Sequence, residues 1–187
     1  MMRHKRHEEW ENFVWKRPEE VYGNDGFVVF KKIGPNDIRQ GKCGDCYFLS
    51  SISSLAEKEN RVERIFITKE INTAGCYAVQ LYLNGEMKIV VVDDYFPYDP
   101  FKEDWAMSKP SEDSNEIWVL ILEKAWAKVY GSYQRIEAGT AGEAFRPLTG
   151  CPNHSLIHDS CVNKELLWKR IEMADRMSFP MATAVAS

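Results

Sequence analysis

The stretch Gln40-Gly41-Lys42-Cys43-Gly44-Asp45-Cys46-Tyr47-Phe48-Leu49 holds the residues best suited to chemistry. A cysteine attacks as its thiolate. The start of a helix lowers a thiol's pKa, because the unpaired N–H groups and the helix dipole favour negative charge there. Leu49, Ile52, Leu55 and Ala56 recur at three- and four-residue spacing, which predicts a helix from near Cys46 toward Lys58 with the thiol at its beginning. Gln40 lies six residues before that thiol, in register to donate its amide to a developing oxyanion beside the Cys46 backbone N–H. Cys43 and Cys46 also have the Cys-x-x-Cys spacing of redox proteins, but those place it after a strand in a βαβ unit, and the hairpin expected here is antiparallel. Cys43 and Cys76 read as small buried hydrophobes.

A second cluster, Cys151-x-x-His154-x-x-x-His158-x-x-Cys161, offers four soft or borderline ligands within eleven residues, enough chemically for tetrahedral zinc. Structural zinc sites gather two ligand pairs separated by a longer stretch, so the expectation is a polar loop without zinc.

These groups need elements to hold them. Phe27-Val28-Val29-Phe30 reads as a short buried strand or extended stretch, closed by the turn formers Gly34-Pro35-Asn36-Asp37. A hairpin is expected from Tyr77 to Leu83, through Asn84-Gly85, and back along Met87 to Val92. Residues 97–114, rich in Pro, Ser, Asp and Lys, read as a loop. Glu116 to Tyr130 carries Trp118, Ile121, Leu122, Ala125 and Val129 on one face before Gly131, the pattern of a buried helix with its stop. Gly139, Gly142 and Gly150 punctuate the stretch after it, and another helix is expected from Lys164 to about Met177 with Leu167, Ile171 and Ala174 inward. Met181 to Ala186 reads as a strand, and residues 1–24 as an irregular leading segment without a helix. The fold class is α+β.

With 187 residues, the chain has room for one domain and part of another. At 44% hydrophobic and 28% charged it can bury a core. Its formal charge of −4 and pI near 5.7 argue against a nucleic-acid-coating surface. No apolar run approaches the roughly 18 residues of a membrane span, and the basic start Met1 to His7 has no apolar stretch behind it. Five cysteines, an odd number, come without a secretory signal and leave at least one thiol free. The reading is a soluble, cytoplasmic protein.

The surroundings of Cys46 are close to the Cys-Gly-x-Cys-aromatic signature of papain-type nucleophiles, with Asp45 in place of Ser or Ala. The longer block Asp37 to Leu49 is similar to the nucleophile motif of calpain-type proteases. Trp15-Lys16-Arg17-Pro18-Glu19, Val90 to Pro97, Asn115-Glu116-Ile117-Trp118, Leu122 to Lys128, Gly131-Ser132-Tyr133 and Leu148-Thr149-Gly150 resemble further calpain blocks in the family's order. The resemblance implies a papain-like cysteine protease fold. Its parts would be a leading segment (1–24), a helical first lobe with a small antiparallel hairpin (25–150), and an interlobe connection with the start of a β-rich second lobe (151–187).

It implies an intracellular, calcium-dependent cysteine endopeptidase that cleaves exposed, flexible protein segments through a thioester. Carried over by position, Cys46 is the nucleophile, Gln40 the oxyanion-hole donor, and Asp37 and Glu116 the calcium ligands, for which hard carboxylate oxygens suit the ion. Without the resemblance, both acids would read as solvated surface, Glu116 also serving a helix dipole. Tyr47 stands where the family has Trp, and Cys43 where it has Leu. The family's Gly-His-Ala-Tyr and Asn-Pro-Trp motifs, which bring the catalytic His and Asn from the second lobe, are not in this sequence. His154 and His158 lie instead in the stretch resembling the interlobe connection. The expectation is a chain that hydrolyses little or nothing without its second protease lobe; the alternative is a calpain-like pseudoprotease acting as a binding or regulatory module.

Overall fold

The computed structural model describes residues 8–24, 26–111, 114–156 and 163–184. After a 3₁₀ turn at Glu9–Asn12 come β1 (Val14–Lys16) and the short helix α1 (Pro18–Tyr22). The segment that begins with Cys46 is next, as α2 (Cys46–Ala56), then α3 (Glu59–Glu63), the hairpin β2 (Cys76–Leu83) and β3 (Glu86–Asp93), and β4 (Phe96–Asp99) with β5 (Asp104–Trp105). Helices α4 (Trp118–Tyr130), α5 (Ala141–Thr149) and α6 (Lys164–Arg176) complete the order. The fold is α+β.

Helix α4 is the centre of the core. Trp118 through Leu122, Ala125, Trp126 and Ala127 are all buried, because its apolar residues run all round the helix rather than along one stripe. Phe48 of α2 stacks on Trp126 of α4 with ring centroids 4.9 Å apart and planes 13° from parallel. Trp126 Nε1 also donates to the Tyr47 hydroxyl at 3.0 Å. These contacts fix the start of α2 to the most buried element of the protein.

The hairpin forms as its pattern predicts. β2 and β3 pair antiparallel from Cys76↔Asp93 to Leu83↔Glu86, and Asn84 and Gly85 take φ of 55° and 83°, the left-handed pair that a tight two-residue turn requires. Tyr77, Val79 and Leu81 alternate inward. Cys76 begins the strand in the outward phase and is exposed, against the expectation of a buried thiol.

Several expectations are corrected. The leading segment is not irregular: β1 pairs with β4 from Val14↔Tyr98 to Lys16↔Phe96, and α1 starts at Pro18, which pre-sets φ for a first helical turn. Arg17 between them makes a bidentate pair with the buried Asp94, both contacts at 2.9 Å. The 97–114 segment holds β4 and β5 rather than a plain loop. Its polar composition hides the fact that Phe96, Tyr98 and Trp105 form one aromatic cluster, with Trp105 edge-on to the other two rings at 5.8 and 5.6 Å.

Helix α5 passes through Gly142 and Pro147. Its beginning is set by a capping box in which Glu143 accepts from the Thr140 backbone N–H at 2.7 Å while Thr140 Oγ1 accepts from the Glu143 N–H. Helix α6 forms as predicted, but none of its residues is buried: Leu167 and Ala174 are half-buried and Ile171 is 39% exposed. Residues 181–184 form no strand, and 185–186 lie outside the described residues.

Candidate active site

Cys46 is the first residue of α2 and is exposed. The loop that delivers it runs from Arg39 to Asp45 and is laced to residues 106–109. Arg39 N donates to Lys109 O at 2.9 Å, Lys109 N returns a bond to Arg39 O at 2.8 Å, and Lys42 N donates to Ala106 O at 2.8 Å. Gly41 permits this close approach, since a Cβ there would lie 1.6 Å from Met107 O. Gln40 Nε2 donates to Cys43 O at 2.9 Å, so one amide N–H holds the side chain to its own loop and the amide keeps a second donor. The Cys46 N–H, at the first helical position, has no intrahelical acceptor.

Gln40, Gly41, Lys42, Trp105 and Lys109 line a cleft of about 140 Å³. Cys46 is not among its walls. Lys42 pairs with Glu9 at 2.5 Å and Lys109 with Asp104, so two of the cleft's cations are matched by acids beside it.

Next to Cys46 in the chain, Asp45 belongs to an arrangement the sequence did not disclose. Asp45 (0% exposed), Glu123 of α4 (1%) and Cys43 (1%) are buried together, with one carboxylate oxygen from each acid and the Cys43 Sγ all within 4.8 Å of one another. Glu123 accepts from Ser108 N at 2.9 and 3.0 Å and from Ser108 Oγ at 2.8 Å. Neither Asp45 oxygen has a partner at normal hydrogen-bond geometry; what lies nearest to it are its own backbone N–H, the Glu123 carboxyl and the Cys43 thiol.

Burial, the largest cause, pushes the Asp45 carboxyl up to about 6. Burial and then the charge of Asp45 push Glu123 well above the usual carboxylate range, and the same two causes raise the Cys43 thiol. Two carboxyls in contact away from water cannot both ionise cheaply, so the pair keeps a proton near neutral pH. The one hint in the sequence is Glu123 itself, a charged residue inside the apolar run that forms α4.

The two expected calcium ligands come together elsewhere. Asp37 closes the 3₁₀ turn Pro35–Asp37 and its Oδ2 accepts from Gly34 N at 2.6 Å. Glu116, buried before α4, accepts from Lys31 N, from Lys32 N at 3.1 Å and from Ser114 Oγ at 2.8 Å. Burial raises the Asp37 pKa, the Gly34 bond opposes that, and the nearby charge of Glu116 raises it further. Two carboxylates held in each other's field, with only oxygen donors of their own, suit a hard divalent cation.

His154 is exposed, as is Cys151. His158 and Cys161, on which the zinc question turns, lie outside the described residues. Among the described residues no hydrogen bond reaches the Cys46 thiol. No helix is long and apolar enough to cross a membrane among the described residues.

Comparison with known proteins identifies the family. A family profile described as calpain family cysteine protease matches residues 1–187. The chain is similar to calpain-8 of Mus musculus, 37% identical over 145 residues that cover 76% of this chain and 20% of that protein. It is 37% identical to the calpain-1 catalytic subunit of Homo sapiens over 139 residues, 73% of this chain and 19% of the relative. Against the calpain-type cysteine protease DEK1 of Zea mays it is 38% identical over 142 residues, 73% of this chain and 6% of that protein. The matched part is thus a fifth or less of each relative's length.

Proposed function

Because this chain belongs to the calpain family of cysteine proteases, we propose that it supplies the nucleophilic half of a papain-like endopeptidase site acting on intracellular proteins. The observation that carries this is the exposed Cys46 at the first position of a rigidly packed helix, on a loop whose Gln40 amide is already oriented. The Cys46 thiolate attacks the scissile carbonyl carbon. The carbonyl oxygen takes up the negative charge and is met by the Cys46 backbone N–H and the Gln40 amide N–H. A histidine takes the thiol proton and returns it to the departing amine, leaving a thioester that water hydrolyses.

No described histidine bonds to Cys46, so that imidazole and the Asn that orients it are assigned to a second lobe. Residues 25–150 then act as the first lobe and 151–187 as the connection and the start of the second. The uncovered side of α6, where Trp168 is 65% exposed beside Leu166 and Met173, supports a partner of this kind. Asp37 and Glu116 would hold calcium, aided by backbone carbonyls; bound there, the ion supplies positive charge that ties the Pro35–Asp37 turn to the start of α4.

Competitive alkylation tests the nucleophile. Cys46, Cys76 and Cys151 are all exposed, so exposure alone predicts equal rates, whereas the proposal predicts that iodoacetamide modifies Cys46 first. Equal rates refute it. This chain alone is expected to leave a flexible protein substrate intact with or without millimolar calcium. Robust turnover abolished by Cys46→Ala would instead place the base within these residues. Capture of the substrate without cleavage, even when the second lobe is supplied, would favour a binding module.

A further inference from the structure

We propose that Asp45 and Glu123 are positioning residues for Cys46, a carboxyl pair sharing one proton that ties the residue preceding the nucleophile to the Ser108 segment carrying the Gln40 loop. The inference rests on the reading of Cys46 as the nucleophile, and it concerns groups that the attack itself does not use.

The connection runs bond by bond. Asp45 is the residue immediately before Cys46, and its backbone carbonyl starts α2 by accepting from Phe48 N at 2.8 Å and Leu49 N at 3.1 Å. Its side chain does not cap the helix. It turns instead into the core, where neither oxygen has a partner at normal hydrogen-bond geometry. A buried carboxylate left in that state would be strongly destabilising. In this proposal the protonated Glu123 carboxyl, within 4.8 Å of Asp45, is the group that can offer it an O–H, while the Glu123 oxygens accept the N–H and O–H of Ser108.

Ser108 lies between Met107, against which Gly41 is pressed, and Lys109, which is paired with Arg39. One proton therefore closes a circuit through Cys46, Asp45, Glu123, Ser108, the 106–109 segment and the Gln40 loop. Both halves of the proposed oxyanion site, the Cys46 N–H and the Gln40 amide, hang from that circuit.

The other ionisable groups facing the pair do not supply a substitute counter-charge. Cys43 and Tyr133 lie on one side, with Cys43 Sγ donating to Tyr133 O at 3.6 Å. Glu137 and Tyr47 face Asp45 from the segment after α4 and from α2 itself. None is a cation. When the shared proton leaves, two negative charges remain together, one of them on the residue preceding Cys46, with no positive group among these neighbours to compensate them.

The test is the rate of Cys46 alkylation by iodoacetamide from pH 5 to 10 in the full chain, resolved by peptide mass spectrometry, with Cys76 as internal control. Near-ultraviolet circular dichroism would report the folded state at each pH. Glu123→Leu, which takes the Glu123 carboxyl away from Asp45, is expected to slow Cys46 about tenfold, the equivalent of one pKa unit, and to leave Cys76 unchanged. Glu123→Gln is expected to restore the rate, since its amide donates to Asp45 and its carbonyl accepts from Ser108. Carrying no titrating proton, it should also remove the inflection that the Glu123 proton adds to the wild-type profile. Should Glu123→Leu not fold, the profile of Glu123→Gln decides alone. The proposal is overturned if that inflection persists in Glu123→Gln, if the Gln variant is as slow as the Leu variant, or if the wild-type chain binds an equivalent of zinc through Cys43, Asp45 and Glu123. Equal alkylation of Cys46 and Cys76 in the wild type would instead refute the nucleophile reading.

Discussion

Replacing Gly41 with alanine tests whether the Gln40 loop is held by close backbone contact. The new Cβ would stand 1.6 Å from Met107 O and 2.5 Å from Ala106 O, whereas a carbon rests no nearer than about 3.3 Å to a carbonyl oxygen. The two segments must separate by about 1.7 Å, which stretches the three bonds between Arg39, Lys42, Ala106 and Lys109 from 2.8–2.9 Å to about 4.5 Å, beyond hydrogen-bond range. At roughly 1 kcal/mol each, less about 0.5 kcal/mol for the stiffer unfolded chain, the cost is about 2–3 kcal/mol. For a chain of this size that is a fall in Tm of about 5–10 °C. Urea unfolding followed by tryptophan fluorescence would measure it, with Gly34→Ala as the control, because a Cβ there meets nothing nearer than 3.7 Å. A Gly41→Ala midpoint indistinguishable from that of Gly34→Ala would refute the reasoning.

Phe48→Ala removes a fully buried ring stacked on Trp126 and should cost about 3–5 kcal/mol in the same unfolding assay; a loss below about 1 kcal/mol would mean that α2 is not anchored there. Stability should fall as pH rises. Asp45 has its pKa raised from 3.8 to about 6, so the folded chain holds a proton that the unfolded chain releases, and this contribution is full below about pH 4 and lost on passing about pH 6. The Glu123 share is lost at higher pH still, in the direction of its larger rise. Urea midpoints at pH 5, 7 and 9 should therefore decline in the wild type and decline less in Glu123→Gln; parallel curves would contradict this. Calcium should raise the melting temperature, by the equivalent of about 2.7 kcal/mol at a hundred times its Kd. Asp37→Asn and Glu116→Gln should each abolish the rise, and an unchanged response in both would place the ion elsewhere.

Where a structural rule acts within a few residues, it can be read along the chain. The 3.6-residue repeat of Leu49, Ile52 and Leu55 locates α2, the Asn84-Gly85 turn locates the hairpin, and Gly131 ends α4, because each depends on local backbone geometry. α5 escapes such a reading although its capping box, Thr140 with Glu143, is present: Gly142 and Pro147 read as breakers, and the packing of Ala144 and Leu148 outweighs their low propensity. β1 and β4 escape it because they pair with each other across some eighty residues of sequence, and β5 is only two residues long. Strands of two to four residues are too short to show a period of two along the chain. For α6 the error runs the other way, since an apolar face predicts that burial is sought and does not say that a described neighbour provides it.

The candidate site divides along the same line. By itself the sequence located the helix start at Cys46 and the six-residue offset of Gln40 from it, since residue type and short spacing carry both, and the resemblance of several ordered blocks pointed to the family. Only the tertiary structure decided that Gly41 must be glycine, that Asp37 and Glu116 stand in each other's field, and that Asp45 and Glu123 are buried side by side. Those properties depend on distance through space between groups far apart along the chain, and on the removal of water around them. Neither distance nor desolvation exists until the chain has closed on itself.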